Sequence, residues 1–313
     1  MKKVIIAGAT GFIGYYLVSK LLEEKTEVWI VCRETSSYLE RIKKIKGIHI
    51  IYCSLENILS LQEICEERDF DAFYDLAWSG AAGELRGCIE TQLDNVKWTC
   101  NCMKAAQKLG CKKIIITGTI CEKQRDSIVE KEEFVGSSYY LLAKKNAYEM
   151  CRCLSLKENI PFVWCRFYHP IGVYNKKNQL ITNTIWKLLN HKELKFGSAQ
   201  ALFDVIAVED LAEALYLMGE LSLKKQSYFV GSGNPMYLKN YLELLKEIVD
   251  PYADMQYGAL NVIDLPMKEQ WLDIHEFQKE TEFVPKYSFE SSVRKIKRWL
   301  ENEEEYDNKK WII

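Results

Sequence analysis

The first fourteen residues constrain this chain more than any other stretch. Lys2-Lys3-Val4-Ile5-Ile6-Ala7 reads as a short buried strand, Gly8-Ala9-Thr10-Gly11-Phe12-Ile13-Gly14 follows at once, and Tyr15 to Leu22 is predicted to be a helix. A strand, a glycine turn and a helix in that order suit a nucleotide pyrophosphate. Gly8 permits the tight turn, Gly11 keeps a Cβ away from the phosphates, and Gly14 lets the helix lie close to the sheet. The helix N-terminus then offers free N–H groups and the positive end of its dipole to the anion. The spacing is G-x-x-G-x-x-G rather than G-x-G-x-x-G. On these residues alone, a plain strand-to-helix turn stays open beside the phosphate loop.

Beyond the loop, apolar runs alternate with helical stretches. Strands are predicted at 28–32, 48–52, 70–77, 113–118 and 161–167, with helices at 55–68, 92–109 and 139–158. This alternation argues for an α/β fold with a doubly wound, Rossmann-type parallel sheet, whose ligands sit beyond the C-terminal strand ends. The second half is less regular. It carries helical patterns at 180–189, 209–221, 237–249 and 289–300, a late strand at 228–230, and a charged tail over 301–310 that is expected to fray. The simplest division is a dinucleotide-binding domain over 1–168, with later returns near 203–230 and 259–275. A smaller, discontinuous C-terminal substrate lobe then takes 169–202, 231–258 and 276–313.

Hydrophobic residues make up 48% of the 313 and charged residues 27%, enough for a full core. The net charge of -2, with both signs mixed along the chain, favours neither nucleic acid nor a membrane surface as partner. No apolar run is long enough to span a bilayer. The Met1-Lys2-Lys3 start superficially resembles a signal peptide, but the glycine pattern interrupts it and no small-residue cleavage site follows. The eleven cysteines include no C-x-x-C; Cys100/Cys102 and Cys151/Cys153 are C-x-C pairs on helical stretches. Free, buried thiols in a reducing cytoplasm are expected, with no metal site.

Tyr140-Leu141-Leu142-Ala143-Lys144 is a Y-x-x-x-K. Residues four apart share a helix face, so the lysine charge sits near the phenol and favours its ionised form. The same spacing occurs at Tyr16/Lys20, in the first helix, and at Tyr306/Lys310, in the charged tail. Only Tyr140 follows a strand that ends in hydroxyl residues, Thr117-Gly118-Thr119.

Together with the glycine loop, these residues resemble the extended short-chain dehydrogenase/reductases, the NAD(P)-dependent epimerase/dehydratase family that modifies nucleotide sugars. The resemblance covers nearly the whole chain. Gly8 to Gly14 matches the glycine motif, and Asp71 to Ala77 looks like the fourth strand, with Asp75 where histidine is usual. Asn95-Val96 matches the helix asparagine, and Thr119 falls on the catalytic Ser/Thr. Arg166 to Gly172 resembles R-x-x-N-x-x-G with His169 replacing asparagine, Asp204 to Asp210 is similar to D-F-I-x-V-x-D, and Thr281 to Pro285 looks like L-G-[FW]-x-P. The resemblance implies that Tyr140 gives or takes a proton at the substrate oxygen and that Thr119 hydrogen-bonds that oxygen. Lys144 would lower the tyrosine pKa and hold the nicotinamide ribose, while hydride moves between nicotinamide C4 and the substrate carbon. It places the cofactor along Gly8, Thr10, Gly11, Phe12, Ile13, Gly14, Leu76, Ala77, Asn95 and Thr117, and implies a homodimer.

The departures refine the expectation. NAD-preferring members end the second strand with an acid that bonds the ribose hydroxyls. Here that position is Cys32, followed by Arg33. No carboxylate repels a 2′-phosphate, and a guanidinium stands adjacent to grip it. NADP(H) is expected in preference to NAD(H), which stays possible. Ser54-Leu55 falls where an aspartate near the adenine is usual. Dehydratases of the family carry Thr-Asp-Glu, whereas Thr119-Ile120-Cys121 lacks both acids. Thr119-x-Cys121 instead resembles the Ser-x-Cys of the GDP-fucose-synthase-like epimerase/reductases, whose cysteine works with a histidine. Gln179 stands in that histidine's place and is no acid or base at neutral pH. Cys121 is then either a base or a small packed side chain, and His169 either touches substrate or is a satisfied structural histidine. Phe203 replaces an arginine that often grips a nucleotide diphosphate. The expectation is an NADPH-dependent ketoreductase of a nucleotide-linked 4-keto-6-deoxy sugar. The alternatives are a 4-epimerase or epimerase/reductase, a reductase of a non-sugar carbonyl, and a non-catalytic NADP-sensing regulator.

Overall fold

Val4 and Ile6 of β1 (Lys3–Ala7) face one apolar layer, while Ile5 and Ala7 face another. Burial on both faces is why the strand reads as an unbroken apolar run instead of an alternating one. The same holds for β4 (Ala72–Asp75), β5 (Ile114–Thr117) and β6 (Phe162–Arg166), in which every residue is buried. In this computed structural model, which describes residues 1–131, 136–262 and 265–302, these strands join β2 (Glu27–Cys32), β3 (Ile48–Tyr52) and the late β11 (Ser227–Phe229). They form one seven-stranded parallel sheet in the order β3-β2-β1-β4-β5-β6-β11. Chain direction across the sheet reverses between β1 and β4, the switch point at which such sheets open a crevice.

Helices cover both faces. α1 (Phe12–Glu23) and α8 (Val208–Glu220) lie with Val4, Ile6 and Ile30; α4 (Ile89–Lys108) and α6 (Ser138–Glu158) lie with Ile5, Phe73 and Trp164. α6 buries Tyr140, Lys144, Ala147, Cys151 and Ser155, a single face at helical spacing. The shorter helices of the main sheet's surroundings are α2 (Leu39–Lys43), α3 (Leu61–Ile64), α5 (Arg125–Lys131) and α10 (His275–Thr281).

A separate apolar cluster gathers α7 (Leu180–Leu189), α9 (Leu238–Val249) and α11 (Phe289–Glu301) around Ile185, Tyr241, Leu245 and Ile296. Three two-stranded ribbons accompany it: β7 (His169–Ile171) with β10 (Val205–Ala207), β8 (Leu194–Lys195) with β13 (Met255–Gln256), and β9 (Leu202–Phe203) with β12 (Met236–Tyr237). The β7–β10 register sets His169 beside Val205, two residues from Phe203.

The helix predicted at 55–68 is not one helix. A 3₁₀ stretch at Leu55–Ser60 leads into the short α3, and the chain is irregular from Cys65. Ser60 Oγ donates to the Asn57 carbonyl at 2.8 Å, and the Arg68 guanidinium bonds the carbonyls of Gln62, Cys65 and Glu67. Side chains that bond locally to the backbone compete with a continuous helix. α4 begins at Ile89, three residues earlier than its periodicity suggested. The ribbons have too few residues for a period-2 signal. Most of the charged tail, with Tyr306 and Lys310, lies outside the described residues.

Candidate active site

The C-terminal strand ends open into a cleft of about 570 Å³. The glycine loop forms one part of its wall. Gly8 adopts φ +88°, and a Cβ there would lie 2.7 Å from the Ala77 nitrogen; at Gly14 a Cβ would lie 2.3 Å from the Gly8 carbonyl oxygen. Any larger residue would push α1 off the switch point. The α1 N-terminus has no side-chain cap and no acid in its first turn. Its orphan N–H groups are therefore left for an exogenous anion, which fits the pyrophosphate of a dinucleotide. Phe12, Ile13 and Leu76 continue the same wall. Thr10 Oγ1 accepts from Ser36 Oγ at 2.9 Å, tying the glycine loop to the turn after β2. Arg33 is exposed in that turn, and Ser54-Leu55 follow β3; none of the three lines the cleft.

β5 and α6 supply the polar centre. Lys144 Nζ donates to the Thr117 carbonyl at 2.7 Å and lies 3.6 Å from the centre of a Trp78 ring. Thr117 Oγ1 donates to the Asp75 carbonyl at 3.2 Å, and Asp75 Oδ1 accepts from the Ala77 N–H at 3.2 Å. Burial pushes the Asp75 carboxyl up and the Lys144 ammonium down, while their mutual attraction opposes both shifts. One turn before Lys144, the Tyr140 phenol faces the Thr119 hydroxyl, which favours its ionised form. Burial pushes this phenol up to about 12; among neighbouring charges Arg86 does most to favour the phenolate. Thr119 Oγ1 also accepts from the Cys121 N–H at 3.3 Å. Tyr140, Lys144 and Thr119 thus meet at one point of the cleft.

The other candidate proton carriers are held neutral or occupied. Burial pushes the Cys121 thiol up. The neighbouring acid Glu122 is buried at 1% exposure, also with its carboxyl pushed up by burial, and is bonded to Arg166 and to Trp164 Nε1. Arg166 is therefore a structural cation. His169 is pushed down to about 3, chiefly by burial and then by Arg86, and stacks on Phe203 with ring centres 4.5 Å apart and 5° between planes. Tyr168 packs against both rings, its centre 4.3 Å from that of His169 and 4.9 Å from that of Phe203. His169 and Phe203 form an uncharged aromatic wall where the family pattern has asparagine and arginine. Gln179 lines the cleft at the start of α7.

The decoy Tyr16 sits apart from this centre, donating to the Val173 carbonyl at 3.2 Å, while Lys20 pairs with Glu24 and Glu213. A second hollow of about 610 Å³ lies around Met1, Lys112, Lys113 and residues 219–226. It contains neither the glycine loop nor the Tyr–Lys pair.

Sequence reasoning missed the loop between β4 and α4. Trp78, Arg86 and, from the turn before α7, Lys176 all line the cleft. Asn95, expected beside the cofactor, is buried and bonds Ser79 through both its oxygen and its nitrogen. It shapes the loop that carries Trp78. The available signal for Trp78 was its place just past a strand end at the switch point.

Residues 4–231 match the NAD dependent epimerase/dehydratase family, and the chain belongs to it. The chain is similar to UDP-glucuronate 4-epimerase of Thermodesulfobacterium geofontis, 22% identical over 94% of this chain and 95% of that protein. It is also similar to dTDP-4-dehydro-6-deoxyglucose reductase of Escherichia coli, 23% identical over 87% and 91%. The fold matches the solved UDP-N-acetylglucosamine 4-epimerase of Methanobrevibacter ruminantium in complex with UDP-N-acetylmuramic acid, with a TM-score of 0.80 at 20% identity over 96% and 99% of the two chains. The chain is thus an extended short-chain dehydrogenase/reductase, an enzyme of oxidoreductase type. Among the described residues, no helix is long and apolar enough to cross a membrane, and no cluster of ligating side chains can hold a metal.

Removing one partner of the buried Glu122–Arg166 pair leaves an uncompensated charge under the cleft. Glu122→Ala should lower unfolding free energy by about 3–5 kcal/mol, measured by urea denaturation. A loss below about 1 kcal/mol, the range of exposed pairs, would show that the pair does not hold this wall.

Proposed function

We propose that this enzyme is an NADPH-dependent ketoreductase of a nucleotide-linked 4-keto-6-deoxy sugar. One observation carries the reading: around the cleft, Tyr140 with Thr119 is the only assembled proton-handling set among the described residues. Cys121 is a buried thiol, Glu122 is locked to Arg166, His169 is a stacked neutral ring and Gln179 does not titrate. Water elimination or base-catalysed exchange beside the ketone needs a further acid or base. Reduction of a carbonyl does not.

In this reading the α1 N-terminus and Gly8 to Gly14 would hold the pyrophosphate. Bound NADPH would supply the hydride for the carbonyl carbon. Tyr140 gives its proton to the oxygen as the C=O bond becomes an alcohol, and Thr119 holds that oxygen during the transfer. Lys144 would hold the nicotinamide ribose. The His169–Phe203 wall offers an apolar face to a sugar or base. The similarity to the E. coli reductase supports the substrate class. The similarity to two 4-epimerases supports a second reading, in which the same tyrosine serves a redox-neutral cycle and the cofactor stays bound. A cytoplasmic homodimer belongs to the proposal as well; the exposed apolar side chains Leu93 on α4 and Met150 and Leu156 on α6 support its dimer part alone.

Tyr140→Phe should slow reduction of a 4-keto-6-deoxy nucleotide sugar by about 10²–10⁴-fold, with NADPH binding retained. Tyr16→Phe, in the decoy pair, should leave the rate almost unchanged. Equal rates in the two variants would remove Tyr140 from the mechanism.

Arg33→Ala should weaken NADP(H) binding by about 1.5–3 kcal/mol, the value of a hydrogen bond to a charged group, and leave NAD(H) binding nearly unaltered. Both dissociation constants can be read by fluorescence titration. Equal NADP(H) and NAD(H) affinities in the wild type would end the NADP(H) assignment.

A further inference from the structure

Arg86 is a charged side chain of the cleft that the proposed reaction leaves without a task. It lies in a 3₁₀ turn at Glu84–Gly87, between β4 and α4. α4 clamps this loop from below. Gln92 Nε2 donates to the carbonyls of Gly80 and Leu85 at 3.2 and 2.9 Å, Gln92 Oε1 accepts from Trp78 Nε1 at 2.9 Å, and Asn95 bonds both polar groups of the Ser79 backbone. The clamp lays the guanidinium carbon 4.4 Å from the centre of the Tyr140 ring. Trp78 meets the same ring edge-on, with centres 6.1 Å apart. Arg86 Nε is shut off from solvent and has no hydrogen-bond partner among the described residues. A buried donor without an acceptor is costly, and a cation over an aromatic ring offsets part of that cost. Lys144, the cation expected to serve the phenol, is meanwhile directed at the Thr117 carbonyl and the Trp78 face.

We infer that Arg86 is a positioning residue that acts through Tyr140: its guanidinium, lying over the ring, fixes the phenol and stabilises the phenolate left when the proton departs. The inference rests on Tyr140 being the proton-handling group. A cation on the ring face attracts an electron-rich phenolate more strongly than a neutral phenol. The other groups facing Tyr140 do not supply that charge. From the turn after β5 come the Thr119 hydroxyl, the neutral Cys121 thiol and Glu122, which is paired with Arg166; the neutral His169 of β7 lines the same cleft. The influence of Arg86 on both Tyr140 and His169 agrees with this placement.

The test places 3,5-difluorotyrosine at position 140, where its fluorines report the ionisation of that one phenol. The cofactor-free full chain is titrated by fluorine NMR with Arg86 intact, with Arg86→Met and with Arg86→Lys. Loss of the cation should raise the midpoint by roughly one unit, the scale of an opposite charge about 4–6 Å away. Arg86→Lys, which keeps the charge but loses the guanidinium, should raise it by less. An unchanged or lower midpoint in Arg86→Met overturns the inference. If Arg86→Met does not fold, a midpoint in Arg86→Lys at or below that of the intact arginine overturns it equally. The titration needs no substrate, so it is independent of whether the proposed ketone is turned over, which the Tyr140→Phe rate decides separately.

Discussion

The hydrogen bond from Lys144 Nζ to the Thr117 carbonyl, 2.7 Å long, ties the first third of α6 to the C-terminal end of β5. Much of the site follows from that tie. With Lys144 fixed, helical geometry sets Tyr140 one turn earlier on the same face. Two residues past Thr117 the chain delivers Thr119, whose side chain meets the Tyr140 phenol. Thr117 in turn bonds the Asp75 carbonyl, which aligns β5 with β4 at the switch point where Gly8 packs against Ala77. A helix, two strand ends and the glycine loop are thereby referred to one another through a few short contacts.

Burial then decides which groups can exchange protons. Cys121, Glu122 and His169 all carry titratable chemistry in or beside the cleft, yet desolvation favours the uncharged form of each, and Glu122 is further committed to Arg166 and Trp164. Charge in the cleft is concentrated in cations: Arg86, Lys144 and Lys176 line it. Such a field suits the negative charge that develops on a substrate oxygen and the phosphates of a dinucleotide or a nucleotide sugar. It does not assemble a second base beside the carbonyl.

Much of this was legible in the sequence because it is local. The glycine loop, the apolar strands of a doubly buried sheet and the Tyr140–Lys144 spacing each depend on residues within one or two turns. The choice among three Y-x-x-x-K patterns depended on Thr117 and Thr119, which are also close in sequence. What remained hidden is tertiary. Arg86 acquires its place through Gln92 and Asn95, which clamp the loop from another element without leaving a periodic trace. Asn95 itself matched a family pattern, but its contacts serve the loop. His169 and Phe203 lie 34 residues apart, and only the pairing of β7 with β10 brings their rings into a stack. The helix expected at 55–68 failed because Ser60 and Arg68 bond the nearby backbone, an effect that hydrophobic spacing does not register.

The central claim is that the cleft moves one hydride and one proton and nothing else. Incubation with NADPH and a 4-keto-6-deoxy nucleotide sugar in deuterated water, followed by mass and NMR analysis of the sugar, tests it directly. The account predicts one NADPH oxidised per sugar reduced, hydride from NADPH at the carbonyl carbon, and no deuterium at C3 or C5 beyond an enzyme-free control. Enzyme-dependent deuterium at C3 or C5 that disappears in Cys121→Ala would contradict it, because Cys121 would then be a working base.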